Sequence, residues 1–190
     1  MRLIPYIKFL FTSTNAHGVH SPFVFDLVQK CLYAKELNPK RQCSKKEQLV
    51  YRLTGYFKPD TIYTNSITAS ETQLLSTVSV ITNVLPAQIQ FAYIKNRQDI
   101  AIPDTFKQLL PAINNNSILI VENIHASSEM ENAWEAIKNN PSVSVTVDTF
   151  TLGLAFFRNE QQKEHFIIRP RKSVLLDFVL GIPKLWGMLS

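Results

Sequence analysis

The stretch Ser117-Ile118-Leu119-Ile120-Val121-Glu122-Asn123-Ile124-His125, followed by Ser128-Glu129-Met130-Glu131 and then Ala133, Trp134 and Ile137, decides the fold. Ile118 to Val121 is an unbroken apolar run, as expected of a strand covered on both faces, the situation of a parallel sheet flanked by helices. Ser128 with Glu131 three residues on reads as a capping box. Met130, Ala133, Trp134 and Ile137 then recur at the helical interval until Pro141 ends the helix. A strand, a polar turn and a helix in that order form the unit of an open α/β sheet, whose ligands sit beyond the C-terminal ends of the strands. Glu122, Asn123 and His125 occupy that position.

Downstream, Val143, Val145 and Val147 alternate with polar residues, which predicts a half-buried strand. Thr151 to Gly153 turn the chain, and Leu154-Ala155-Phe156-Phe157 returns as its hairpin partner. Upstream, Ile89 to Ile94 reads as a strand and Asp104 to Leu110 as a short helix closed by Pro111. Thr61-Ile62-Tyr63-Thr64 has the β-branched and aromatic content of a strand. Ser70-Glu71-Thr72-Gln73 reads as a capping box opening a helix through Leu74, Leu75, Val78 and Ile81, stopped by Pro86. Before these come two helices. One covers about 22–33, capped by Ser21 with Pro22 at its first position. The other covers about 45–56, opened by the box Ser44-Lys45-Lys46-Glu47. The expectation is an α/β domain over 59–170, an open and mostly parallel sheet with one antiparallel strand. An N-terminal helical extension, 1–58, packs on it, and an apolar tail, 171–190, follows.

Composition bounds the function classes. Of 190 residues, 45% are hydrophobic and 18% charged, which suits a packed core and excludes general disorder. The net charge of +5 is dispersed, and the basic run Lys35, Lys40, Arg41, Lys45, Lys46 lacks interleaved aromatics, so nucleic acid is not the expected partner. No apolar run reaches the roughly 18 residues of a membrane span, and Pro5 and Lys8 interrupt the apolar N-terminus, so neither a spanning helix nor a signal peptide is expected. Cys31 and Cys43 form no CxxC pair, which points to free thiols in a reducing cytoplasm.

Three blocks carry a resemblance to a known family. They are Asn116 to Lys138, Val145-Thr146-Val147-Asp148-Thr149-Phe150 with Gly153 to Phe157, and Lys163-Glu164-His165-Phe166-Ile167-Ile168-Arg169. With the opening motif His17-Gly18-Val19-His20-Ser21-Pro22-Phe23, they resemble class I S-adenosylmethionine-dependent methyltransferases of Bacteroidetes type, related to O-methyltransferases. The resemblance covers about 15–60 and 105–170 and is poor between. It implies a seven-stranded Rossmann-like sheet ending in a hairpin, with S-adenosylmethionine as cofactor.

Against that pattern the chain departs in three places. After the first strand the family has an acid and a glycine-rich loop, where the missing Cβ atoms let the backbone approach the cofactor. Here the positions read Asn65, Ser66, Ile67, Thr68, Ala69 and Ser70, with no glycine and no carboxylate. Too few residues separate Ile81 from Ile89 for a crossover, which needs about a dozen, so a shortened Rossmann-like sheet of about five strands is expected, the last two a hairpin, without the adenosine-binding edge. After Ile94, where relatives carry an acidic metal-binding sequence, Lys95 stands instead. It should repel a cation and pair with Glu122, so no metal site is expected.

The candidate catalytic residues are therefore Glu122, Asn123 and His125, and the degenerate cofactor positions Asn65, Ser66, Thr68 and Ser70. His125 reads either as a proton acceptor for a substrate hydroxyl or as a ring bonded to backbone at the strand-to-helix turn. Gly18 between His17 and His20 is expected to supply an unusual backbone angle, and Trp134 to be core. Three functions follow. The first is a methyltransferase-like protein with lost or impaired cofactor binding, acting as a binding or scaffold protein for a second copy or a full-length methyltransferase relative. The second is an active methyltransferase on a small acceptor. The third is a peripheral membrane or adaptor protein using the tail, where Arg169, Arg171 and Lys172 precede Val174 to Leu189.

Overall fold

In the computed structural model, which describes residues 2–34, 43–77, 79–96 and 101–170, seven strands and six α-helices are placed. The strands are β1 (Thr61–Thr64), β2 (Val80–Thr82), β3 (Ile89–Ile94), β4 (Ile113–Glu122), β5 (Val145–Asp148), β6 (Leu152–Phe156) and β7 (Glu164–Ile167). The helices are α1 (Leu3–Thr12), α2 (Pro22–Leu27), α3 (Lys45–Phe57), α4 (Ala69–Leu75), α5 (Ile102–Leu109) and α6 (Ser128–Asn139), with a π-helical turn, Val28–Leu32, continuing α2.

The strands form one mixed sheet in the order β2-β1-β3-β4-β6-β5-β7. Only β6 runs antiparallel to its neighbours, and the apolar run 118–121 lies in the central strand β4. Each face of the sheet has its own core. On one, Leu27, Leu32, Leu49 and Leu53 pack on alternate strand residues such as Ile62, Phe91, Ile118, Ile120 and Leu154. On the other, Phe106, Leu109, Trp134 and Ile137 cover Ala92, Ile94, Leu119, Val121 and Ala155. The N-terminal helices are thus one of two layers that bury β4 on both sides, which is why its sequence does not alternate.

The caps explain where the helices start. Ser21 Oγ accepts from the Val24 N–H with Pro22 at the first position, and both halves of the Ser44–Glu47 box are made. Two other boxes shift. The helix expected from Ser70 is capped by Thr68, whose hydroxyl accepts from the Glu71 N–H while Glu71 accepts from the Thr68 N–H. In α6 the cap is Ser127, one residue before Ser128. Thr68 with Glu71 offers the same S/T-x-x-E spacing two residues before Ser70, and sequence alone does not rank overlapping candidates; at α6 the third residue after Ser127 is Met130, so Ser127 caps through its hydroxyl alone and no box forms.

The sheet has seven strands, not about five. The helix expected to run through Ile81 stops at Leu75, and Val80, Ile81 and Thr82 pair parallel with Thr61, Ile62 and Tyr63 as β2. Three residues are too few to show alternation, and Ile81 fell by chance at a helical interval from Leu74, so periodicity misassigned a β-branched edge strand. The edge next to β1 is therefore present, though short. At the other edge β7 pairs parallel with β5, so the hairpin β5–β6 is not the last structure of the sheet. Gly18 also differs from expectation, since its φ is not positive. It is needed because a Cβ there would lie 2.0 Å from Thr14 Oγ1. His20 is exposed. Among the described residues no helix is long and apolar enough to cross a membrane. The tail from 171, and Lys35, Lys40 and Arg41 of the basic run, lie outside the described residues.

Candidate functional site

Parallel strands β1, β3 and β4 end side by side, and their terminal residues with the start of α4 form a polar cluster under α3. Tyr93, fully buried on β3, places its phenol between two carboxylates, 2.6 Å from Glu122 Oε2 and 3.1 Å from Glu71 Oε1. Lys95 Nζ lies 2.5 Å from Glu71 and 3.7 Å from Glu122. Lys46, in the first turn of α3, pairs with the other oxygen of Glu122. Two acids and two ammonium groups cancel within a few ångströms, the condition under which buried charges are tolerated. The expected Lys95–Glu122 pair exists, but Glu71 is the nearer partner.

Glu71 was missed because it lies one residue beyond the loop, which therefore does have an acid at its end. Burial opposes its ionisation, but the bond from Lys95 and two from Thr68 outweigh that and hold its carboxyl below the usual range. Burial, then Glu122, pushes the Tyr93 phenol well up, so it serves as a neutral donor. Lys46 and Tyr93 carried no sequence signal, because their roles arise only from the packing of α3 and β3 on this edge.

Each position of the degenerate loop is engaged within the protein. The Asn65 amide donates to Lys95 O at 2.8 Å and accepts from the Lys95 N–H at 2.9 Å, a side-chain continuation of the β1–β3 ladder. Ser66 folds back on Thr64, whose hydroxyl donates to Ser66 O. Thr68 caps α4, and Ser70 Oγ donates to Glu47 Oε1 at 2.7 Å, joining α4 to α3. A ligand carrying an ammonium group would have to displace Lys95 from Glu71 and break the Asn65 bridge. The residues present do not fit S-adenosylmethionine.

His125 turns away from this cluster, while Asn123 stays at its rim. Asn123 takes φ 55°, in the left-handed region that asparagine tolerates, and donates its N–H to Thr151 O and its amide to Glu122 Oε1. The bend carries His125 to the end of β5. There Nε2 lies 2.7 Å from Asp148 Oδ2 and Nδ1 lies 3.3 Å from Glu131 Oε1, and the ring stacks on Phe150 at 5.1 Å between centroids. Burial lowers the imidazole's proton affinity, but Asp148 and then Glu131 outweigh it and hold the group above its ordinary value. A carboxylate lies at each nitrogen, so the ring's polar contacts among the described residues are with Asp148 and Glu131.

Asp148 also accepts the Phe150 N–H on its other oxygen at 2.7 Å. Phe150 itself has φ 72°, costly for a bulky residue, and is fixed by edge and tilted contacts with Tyr6 and Phe9 of α1. Beside this cluster a cavity of about 780 Å³ opens between α1 and α6, bordered by Leu3, Ile4, Phe9, His125, Trp134 and Ile167. Asp148 and Phe150 were quoted from the sequence without a role, and Glu131, expected as the acid of a capping box with Ser128, faces His125 instead. Cys31 is no nucleophile candidate, because burial pushes its thiol up to about 12.

No protein-family model matches the chain, and no curated protein matches it significantly.

Proposed function

We propose that this chain is a shortened, Rossmann-like relative of class I methyltransferases that has lost productive S-adenosylmethionine binding and acts as a non-catalytic binding or scaffold protein. The observation that carries the reading is Lys95. Its ammonium occupies, from within the protein, the Glu71 carboxylate that would otherwise accept the ammonium group of a ligand, and Asn65 locks its backbone in place. The strand order supports the kinship, with a central β1-β3-β4 parallel core and an antiparallel β6 inserted before β5. The side-chain-bearing loop 65–70 supports the loss, because each Cβ there occupies space a nucleoside ligand would need. Its binding partner is proposed as a second copy or a full-length relative.

Isothermal titration with S-adenosylmethionine and its demethylated product tests this. The expected result is no heat of binding at ligand concentrations up to about 1 mM, where a site of micromolar affinity, about −8 kcal/mol, would be saturated. Micromolar binding of either ligand, or transfer of labelled methyl groups to any of a broad acceptor panel, overturns the reading.

A further inference from the structure

We infer that residues 174–189 of this same chain dock on the apolar face of α1 and fill the groove between α1 and α6. Helix α1 is apolar almost all round, yet of its residues only Phe9 is buried. Leu3, Ile7 and Phe11 follow one another at four-residue steps with Ile4 beside them, and they are 66%, 44%, 60% and 81% exposed respectively. A surface helix ordinarily turns its polar side outward, so an apolar stripe of this kind marks a covered face. Leu3 and Ile4 also border the cavity, together with Phe9 and Trp134. The occupant must therefore be largely apolar.

The chain delivers such a segment to this place. Thr14, just past α1, bridges parallel to Ile168, donating its N–H to Ile167 O at 2.8 Å and accepting from the Arg169 N–H. The Arg169 guanidinium bonds Ser13 O at 3.1 Å and Ser13 Oγ at 3.0 Å. The described chain thus reaches residue 170 beside one end of α1, with Ile167 on the cavity wall. Val174 to Leu189 contains eleven aliphatic, aromatic or methionine side chains and two charges, Asp177 and Lys184. Helix α1 is about 15 Å long at 1.5 Å per residue, well within reach of that segment. Tethering raises the segment's local concentration to about millimolar, an advantage no separate partner shares. A membrane surface is the weaker occupant, because Arg169, one of three basic residues at the tail's root, is buried against Ser13 and not free to meet lipid headgroups.

The test places p-benzoylphenylalanine at Ile4 or at Phe11 of the full chain, both exposed enough to accept it, with Thr72 of α4 as a remote control. After irradiation of the monomeric fraction, intrachain adducts to residues 174–189 are expected from Ile4 and Phe11 and none from Thr72. The double substitution Leu175→Glu/Phe178→Glu should lower the adduct yield about tenfold or more, equivalent to about 1.4 kcal/mol of docking, with the circular dichroism spectrum unchanged. Adducts between chains would assign the face to a second copy, and lipid adducts with pelleting on phosphatidylcholine–phosphatidylglycerol vesicles would assign it to a membrane. Either result overturns the inference, as does the absence of adducts in 174–189.

Discussion

Replacing Lys95 by methionine would leave the Glu71 carboxylate, 4% exposed, with its two Thr68 donors but no cation. Removing one partner of a buried pair costs about 3–5 kcal/mol because the other charge stays desolvated. The retained Thr68 bonds favour the low end, so Lys95→Met should lose about 3 kcal/mol in urea unfolding. Adding Glu71→Gln should recover part of that loss, since the stranded charge disappears with it. A Lys95→Met protein as stable as the parent would mean that the cluster contributes nothing to the fold. The residue scale is also where sequence reading was least able to see the site. Glu122 was legible because it lies at a strand end that periodicity locates, whereas Lys95 and the loop from Asn65 were singled out by the family resemblance. Tyr93, Lys46 and Asp148 were not, because each reaches its partner across elements that are distant in sequence.

At the scale of elements, legibility followed length. The runs at Ile89 and Ile118 and the stripe of α6 are long enough for their period to be unambiguous. The three-residue β2 carries too little pattern, and α1 is apolar almost all round, so no periodicity marks it as a helix. One contact between well-read elements makes a sharp test. A Cβ built on Gly153 of β6 would lie 2.8 Å from the Trp134 ring of α6, which is 2% exposed and cannot withdraw without moving the helix. Gly153→Ala should therefore cost about 1–3 kcal/mol by overpacking. Combined with Trp134→Phe, whose ring is smaller, the two losses should sum to less than their separate values, since the clash is what couples them. Additive losses in the double-mutant cycle would show that the helix yields without strain.

Over the whole molecule, the ionised groups at the sheet's C-terminal edge give stability a pH profile whose limbs can be assigned. The Glu71 carboxyl lies below its ordinary 4.5 in the folded protein, so its contribution is complete above that value and is lost as pH falls through the lower folded value. His125 is raised above 6.5, so its contribution is complete below 6.5 and is lost as pH rises through the folded value. His165 acts in the opposite sense. Burial, then Lys138 and Lys163, lower it, so folding loses stability there as pH falls through 6.5. The alkaline limb must accordingly be read as a difference between the parent and His125→Gln, in which His165 cancels. Thermal unfolding from about pH 3 to 9 should show the parent losing Tm relative to His125→Gln as pH rises, and Glu71→Gln should flatten the decline below pH 4.5. A difference of about 1 kcal/mol shifts Tm by about 2–4 °C at this chain length, enough to resolve. Parallel profiles for parent and His125→Gln would show that the imidazole carries the same charge in the folded and unfolded chain, and the Asp148–His125–Glu131 pairing would then contribute nothing to holding the β5–β6 hairpin against α1 and α6.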